Sequence, residues 1–176
     1  RELQSRMQGS AGGRAVLPPA AWVCVAFSGR LGSTVLLHSF AQLAAAPGQY
    51  RVRAVHIDHG LHSDSALWRD HCESEARALQ VEFTSIRVDV IGIEELGLEA
   101  AARDARYDAF AKELRPGEYL LSGHHADDQL ETVLLALMRG AGVLGLSAMR
   151  VHEPFARGVL LRPLWEFTRA ELEAWA

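Results

Sequence analysis

The feature that most constrains the fold is a strand-like run that turns directly into a helix-like run between Val23 and Phe40. Residues 23–27 form a short apolar segment, which is typical of a strand buried on both faces. A loop of six residues with two glycines and two serines follows, and from Thr34 the apolar residues recur at helical spacing. A loop that opens a helix presents unpaired backbone N–H groups and the positive end of the helix dipole, so it suits an anion such as phosphate; an ordinary strand-to-helix turn is the alternative.

The rest of the chain repeats this alternation of strand and helix. Further strands are predicted at 51–58, 81–88, 119–122 and 159–161, and helices at 64–80, 98–114 and 126–139. Such alternation predicts an α/β fold, here a Rossmann-like three-layer sandwich with a parallel sheet covered on both faces. Residues 1–21 are Gly-rich and polar and predict a flexible lead-in, so the domain is expected to span residues 22–176.

The composition is typical of a globular protein that is neither disordered nor membrane-embedded. A chain of 176 residues, 49% hydrophobic and 23% charged, is expected to form one soluble domain with a sizeable core. A net charge of −4 argues against strong nucleic-acid binding by this segment alone. The two cysteines, Cys24 and Cys72, form no Cys-x-x-Cys pair, which is typical of a cytoplasmic protein with buried thiols.

Three polar loops follow predicted strands, at residues 28–33, 56–62 and 123–128. In an open parallel sheet, ligands bind at the carboxyl ends of the strands, where the strand order reverses. The three loops are therefore expected to converge on one site. That convergence is better evidence for a site than any single loop.

Two of these loops are rich in titratable side chains. Residues 123–132 place two histidines and two aspartates at a helix start, where they supply possible metal ligands and a proton acceptor. Acidic residues there are also favourable simply through the helix dipole. Residues 56–62 contain three histidines and an aspartate, but strand geometry points His56 and Asp58 away from His59, which disfavours zinc and leaves a structural turn as the alternative.

Several segments resemble one family. The loop Ser28-Gly29-Arg30-Leu31-Gly32-Ser33 resembles the Ser-Gly-Gly-x-Asp-Ser loop of the PP-loop ATP pyrophosphatase superfamily. The run at 123–132 closely resembles the Gly-His-His-x-Asp-Asp-Gln-x-Glu-Thr motif of the tRNA(Ile)-lysidine synthetases within it. Residues 56–61 are similar to the family's His-x-Asp-His-Gly-Leu, 99–107 to its Glu-x-x-Ala-Arg-x-x-Arg-Tyr, and 162–164 to its Arg-Pro-Leu.

The resemblance covers residues 23–176 and implies an adenine nucleotide alpha hydrolase-like fold and a ligase. The implied reaction joins free lysine to the wobble cytidine of tRNA(Ile) through an adenylated intermediate, with ATP and Mg²⁺ as cofactors and no membrane. The resemblance is compatible with a homodimer, and tRNA-binding domains are expected beyond residue 176. The implied nucleotide-binding residues are Ser28, Gly29, Arg30, Leu31, Gly32, Ser33, His56 and Asp58; the implied catalytic residues are Asp128, His124 and Arg103; the implied metal ligand is Asp128.

The chain departs from the family's loop at two positions. Arg30 replaces the second glycine, and Gly32 replaces an acidic residue associated with magnesium. We expect weaker ATP affinity or turnover, because glycine offers no side-chain oxygen and a left-handed backbone at Arg30 would cost about 1 kcal/mol or more. Arg30→Gly combined with Gly32→Asp is then predicted to raise adenylation. A non-catalytic nucleotide-binding module, or another PP-loop enzyme that modifies tRNA or forms amides, remains the alternative.

Two further patterns have simpler interpretations. Glu99 and Arg103 stand four residues apart on a predicted helix, so an exposed ion pair is the default expectation beside a role in phosphate binding. Residues 140–145 match Gly-x-Gly-x-x-Gly, but the match follows a helix rather than a strand, which favours a mobile loop near the site over dinucleotide binding.

Overall fold

The computed structural model describes residues 17–46, 49–138 and 150–176. The predicted alternation of strands and helices is present within these ranges. The strands are β1 (Ala21–Ala26), β2 (Tyr50–Asp58), β3 (Glu82–Arg87), β4 (Tyr119–Leu121), β5 (His152–Phe155) and β6 (Gly158–Leu161). The helices are α1 (Leu31–Ala44), α2 (Ser65–Ala78), α3 (Ile93–Leu96), α4 (Leu98–Glu113), α5 (Ala126–Met138) and α6 (Arg169–Trp175).

The strands form one sheet in the order β3-β2-β1-β4-β6-β5. The chain moves from β1 outward through β2 to β3, and then returns to pair β4 with the other side of β1. The order of the strands therefore reverses between β1 and β4, and ligands of such sheets bind outside the carboxyl ends of the strands at this point. The loops after β1 and β4 both begin there.

The sheet is parallel except at one edge. β5 pairs antiparallel with β6, and neither β5 nor the four-residue helix α3 was predicted from the sequence. β5 is short and contains Pro154, which has no N–H to donate to a neighbouring strand. An edge position accommodates this proline, but four residues carry too weak a pattern for sequence analysis to detect.

The core has two parts, one on each face of the sheet. Val23 and Val25 point to the face covered by α1, α2 and α6, whereas Cys24 between them points to the face covered by α4. The predicted three-layer arrangement is therefore confirmed. Burial raises the pKa of the Cys24 thiol to about 12 and that of Cys72, in the other core cluster, to about 11, so neither is a ready thiolate.

The ends of the domain are partly described. Leu17 packs against the core and Ala20 donates its N–H to the carbonyl of Gln49, so the chain is tied to the sheet from about this point. Residues 1–16 and the glycine pattern at 140–145 lie outside the described residues, and the predictions for them stay predictions. Within the described ranges, no helix is both long enough and apolar enough to cross a bilayer.

Candidate functional site

The loop after β1 shows which of its residues has a left-handed backbone conformation. Gly29 adopts φ +73°, and a Cβ there would lie 3.0 Å from the Sγ atom of Cys72. Arg30 has φ −84° and ψ 159°, an extended conformation that any residue adopts. The strain considered for Arg30 is therefore absent, because the left-handed position in this loop is Gly29.

Ser33 closes the same loop on itself. Its hydroxyl donates to the carbonyl of Arg30 at 2.9 Å and accepts from the backbone N–H of Ser28 at 3.3 Å. Arg30 is the N-cap residue of α1, its side chain makes no capping bond, and the first turn contains no acidic residue. The N–H groups of this first turn have no acceptor within the helix, which leaves a compact, positively polarised loop end.

The loops after β1 and β4 touch through their backbones. A Cβ added to Gly32 would lie 2.2 Å from the carbonyl oxygen of Gly123, and a Cβ added to Gly123 would lie 2.6 Å from the backbone nitrogen of Ser33. Real Cβ atoms do not approach backbone this closely, so both positions need glycine in this arrangement. The change Gly32→Asp would therefore require the two loops to separate, which the sequence could not reveal.

The loop after β2 is held by two buried side chains. His56 donates its Nδ1–H to the carbonyl of Phe27 at 2.9 Å, which ties β2 to the end of β1. Asp58 accepts the N–H of Gly60 at 2.8 Å and so fixes the turn. The neighbouring His59 has a buried Nδ1 without a hydrogen-bond partner, and burial together with the charge of Arg106 lowers its pKa.

His124 is a half-buried histidine after β4. Its Nδ1 shares a hydrogen bond with the hydroxyl of Ser122. Burial lowers the pKa of His124 most, and the charges of Arg162, Arg106 and Arg103 lower it further against an opposing contribution from Asp128. The imidazole is therefore predominantly neutral at neutral pH and can accept a proton.

The two aspartates at the start of α5 both stabilise structure. Asp128 accepts the N–H of His125, the residue before the helix, at 2.9 Å. Asp127 accepts the N–H of Arg169 at 2.7 Å and joins the start of α5 to the start of α6. Both aspartates thus make structural hydrogen bonds, beside their favourable position at the positive end of the helix dipole.

The charges of several arginines act on the side chains near the meeting point of the loops. The Nε of Arg106 is buried without a hydrogen-bond partner, and burial lowers its pKa, as do the charges of Arg103 and Arg30. Arg103 lies over the ring of Tyr107 at 5.8 Å, and the expected ion pair with Glu99 is not among the ion pairs of the described residues. Sequence reasoning did not select Arg106, although its position three residues after Arg103 places both on one side of α4.

These residues offer few side-chain oxygen ligands for a magnesium ion. Magnesium prefers oxygen ligands, and no group of three or more candidate metal-binding side chains occurs among residues 17–46, 49–138 and 150–176. Asp58 and Asp128 each use one carboxylate oxygen on a backbone N–H, and Gly32 supplies no side-chain oxygen. The prediction of Asp128 as a metal ligand gains no support from this donor set.

Comparison with known proteins identifies a family. The model of the PP-loop domain matches residues 5–176. A tRNA(Ile)-lysidine synthase from Alkalilimnicola ehrlichii is 53% identical over 161 residues, which cover 92% of this chain and 36% of the relative. Relatives of the same name from Xanthomonas axonopodis and Escherichia coli O157:H7 are 48% and 49% identical, over 93% and 88% of this chain and 38% and 36% of theirs.

A solved structure supports the fold alone. The U34-tRNA thiolase NcsA from Methanococcus maripaludis, with its [4Fe-4S] cluster, superimposes with a TM-score of 0.75 at 18% identity. The match covers 98% of this chain and 61% of that one. The chain spans little more than a third of the length of the curated relatives that it matches.

Proposed function

The chain belongs to the PP-loop domain family, and from this membership we propose that it is the ATP-using part of an enzyme that joins lysine to the wobble cytidine of tRNA(Ile). Residues 22–176 provide the nucleotide site in this proposal. Contacts that select the tRNA come mainly from sequence that the longer relatives possess outside the matched region. The net charge of −4 is consistent with that division.

The observation that carries the proposal is the meeting of three polar loops at the reversal of strand order. Gly32 and Gly123 bring the loops after β1 and β4 into backbone contact, and His56 ties the end of β2 to the end of β1. Arg106 contributes to the electrostatic environment of His59 and His124 in the other two loops. Positive charge and free N–H groups thus gather where the fold binds nucleotides.

The first step transfers the adenylyl group to tRNA. The carbonyl oxygen of the cytidine attacks the α-phosphorus of ATP, and the bond to the β-phosphate breaks, so that pyrophosphate leaves with the electron pair. The loop at residues 28–33 holds the pyrophosphate, and Arg103 stabilises charge at the α-phosphate. Positioning and charge stabilisation are the protein's main contributions to such a step.

The second step exchanges AMP for lysine. The amine nitrogen attacks the activated carbon, the carbon–oxygen bond breaks, and AMP leaves with the oxygen. The amine loses one proton, and His124 is the acceptor in this proposal because burial keeps its imidazole neutral. Asp128 helps to orient the attacking group, while His56 and Asp58 shape the loop that borders the adenine.

Incorporation of labelled lysine into tRNA(Ile) tests this function. The assay compares this chain alone with the chain joined to the part of the Alkalilimnicola ehrlichii relative that lies outside the matched region. We expect ATP-dependent incorporation by the joined protein, a strong decrease in the variant His124→Gln, and none with a transcript that carries uridine at the wobble position. Pyrophosphate release without lysine in the tRNA would contradict the ligase and favour another PP-loop enzyme.

A further inference from the structure

We infer that this site compensates the charge of a bound triphosphate with arginines, Arg30 foremost, and therefore binds ATP without a divalent cation. The inference rests on the proposed nucleotide function and specifies the form of the ligand. It assigns a role to Arg30, the residue at which the loop differs from the glycine of the family motif.

The first support is the excess of cations over carboxylates at the site. Arg30 begins α1, Arg103 and Arg106 lie on α4, and Arg162 follows β6. The charges of Arg30 and Arg103 act on Arg106, and those of Arg103, Arg106 and Arg162 act on His124. Among the described residues only Arg162 of these four forms an ion pair, at 2.8 Å from Glu153.

The second support is the unsatisfied donor on Arg106. Its Nε is buried without a hydrogen-bond partner, although a buried donor left unpaired is unfavourable. A phosphate oxygen would satisfy a guanidinium donor and reduce the mutual repulsion of Arg30, Arg103 and Arg106. The cluster therefore fits a polyanion better than it fits any cation.

The third support is that the position next to Gly32, where the family's acidic side chain would lie, is already occupied. The carbonyl of Gly123 occupies the position next to Gly32, at 2.2 Å from a Cβ built there. A side-chain oxygen at residue 32 would need to displace this contact. Arg30, two residues earlier, has an exposed side chain on an extended backbone, and its charge acts on Arg106.

Calorimetric titration of the 176-residue chain with ATP tests the inference, once in EDTA and once in excess MgCl₂. We expect dissociation constants that agree within about threefold between the two media. Arg30→Ala should weaken binding in EDTA by about tenfold or more, since a hydrogen bond to a charged group is lost, and should weaken it less in MgCl₂. Arg30→Lys should retain more of the affinity in EDTA than Arg30→Ala, because lysine keeps the charge and still donates to phosphate.

The matched control is Arg77→Ala, which removes an equal charge from α2, where Arg77 pairs with the exposed Glu73 at 2.8 Å. It should leave both dissociation constants unchanged. ATP binding in MgCl₂ with none in EDTA would overturn the inference while preserving the proposed nucleotide site. Absence of ATP binding in both media would instead refute the nucleotide site, and the inference with it.

Discussion

The arginines at the two ends of the sheet differ in whether their donors have hydrogen-bond partners. At the amino-terminal end, Arg53 on β2 donates two hydrogen bonds to Glu118, at 2.8 and 2.7 Å, and a third to Glu113 at 2.6 Å. Glu118 also accepts the N–H of Arg115 at 2.9 Å. At the carboxyl-terminal end, Arg106 has a buried Nε with no partner and two arginines near it.

The pKa values of the two arginines shift in opposite directions. The hydrogen bonds to Glu118 raise the pKa of Arg53 despite its burial, whereas burial and neighbouring arginines lower the pKa of Arg106. Burial raises the pKa of Glu118, but the hydrogen bonds from Arg53 and Arg115 bring it below its usual value. An arginine whose donors are paired, here called saturated, stabilises the fold. An arginine with an unpaired buried donor, here called unsaturated, marks where an anion can bind.

The largest effect is expected at the saturated end. Glu118→Ala leaves the guanidinium of Arg53 buried without its main partner, so the free energy of unfolding should fall by about 3–5 kcal/mol. Arg106→Met, at the other end, removes a charge without a partner and should not lower the free energy of unfolding, while ATP binding weakens by about tenfold or more. Urea denaturation and ATP titration measure both.

Equal destabilisation by the two substitutions would remove the distinction between the ends. An unchanged ATP affinity in Arg106→Met would show that the unsaturated arginine is not directed at the nucleotide. If Glu118→Ala does not fold, Glu113→Gln offers a weaker probe of the same cluster, since Glu113 is partly exposed.

A smaller effect is expected where the two loops of the site touch. Alanine normally favours a helix over glycine by about 1 kcal/mol, but the Cβ of Gly32→Ala would lie 2.2 Å from a backbone oxygen. Overpacking of this kind costs about 1–3 kcal/mol, so a net loss of stability and weaker ATP binding are expected, measured by urea denaturation and ATP titration.

Gly117→Ala is the control for this substitution. Gly117 has φ +74° and nothing within 4 Å of a built Cβ, so alanine there introduces backbone strain of about 1 kcal/mol without crowding. It lies near the saturated end and should leave ATP binding unchanged. Stability gained in Gly32→Ala would show that the loops separate freely, and would favour the prediction that Arg30→Gly combined with Gly32→Asp raises adenylation.

Local pattern was sufficient to predict most of the fold. The strand β1 is a continuous apolar run, and the helix α4 ends three residues before Pro116-Gly117, so their positions follow from the residues themselves. The strand β5 was missed because four residues with a proline carry no periodicity. The meeting of the loops was expected from rules for parallel sheets, whereas the order of the strands was not predicted.

The site was predictable in its loops and unpredictable in its contacts. The residues at 28–33, 56–62 and 123–128 stood out because polar groups follow apolar strands. The contact of Gly32 with Gly123 and the lack of a partner for Arg106 depend on distances between segments far apart in the sequence. Sequence alone also could not show that Gly29, and not Arg30, takes the left-handed conformation.

The smallest expected effect is a difference in the pH range over which each end of the sheet changes the stability. The pKa of His124 is lowered from 6.5, so in the window below that value the unfolded chain binds more protons than the folded one. Stability should therefore fall as the pH drops below 6.5, and His124→Gln should reduce that fall. The charged groups acting on His124 are Asp128, Arg162, Arg106 and Arg103, and the half-buried His59 contributes with the same sign.

The saturated end responds in a lower window. The pKa of Glu118 lies below its usual 4.5, so its contribution is complete above that value and is lost as the pH falls further. Urea midpoints of the chain and of His124→Gln, measured between about pH 7.5 and pH 5.5, isolate the histidine because Glu118 stays ionised throughout. Identical pH dependence in both proteins would mean that His124 keeps its ordinary pKa, and would leave the proposed proton acceptor of the second step without its electrostatic basis.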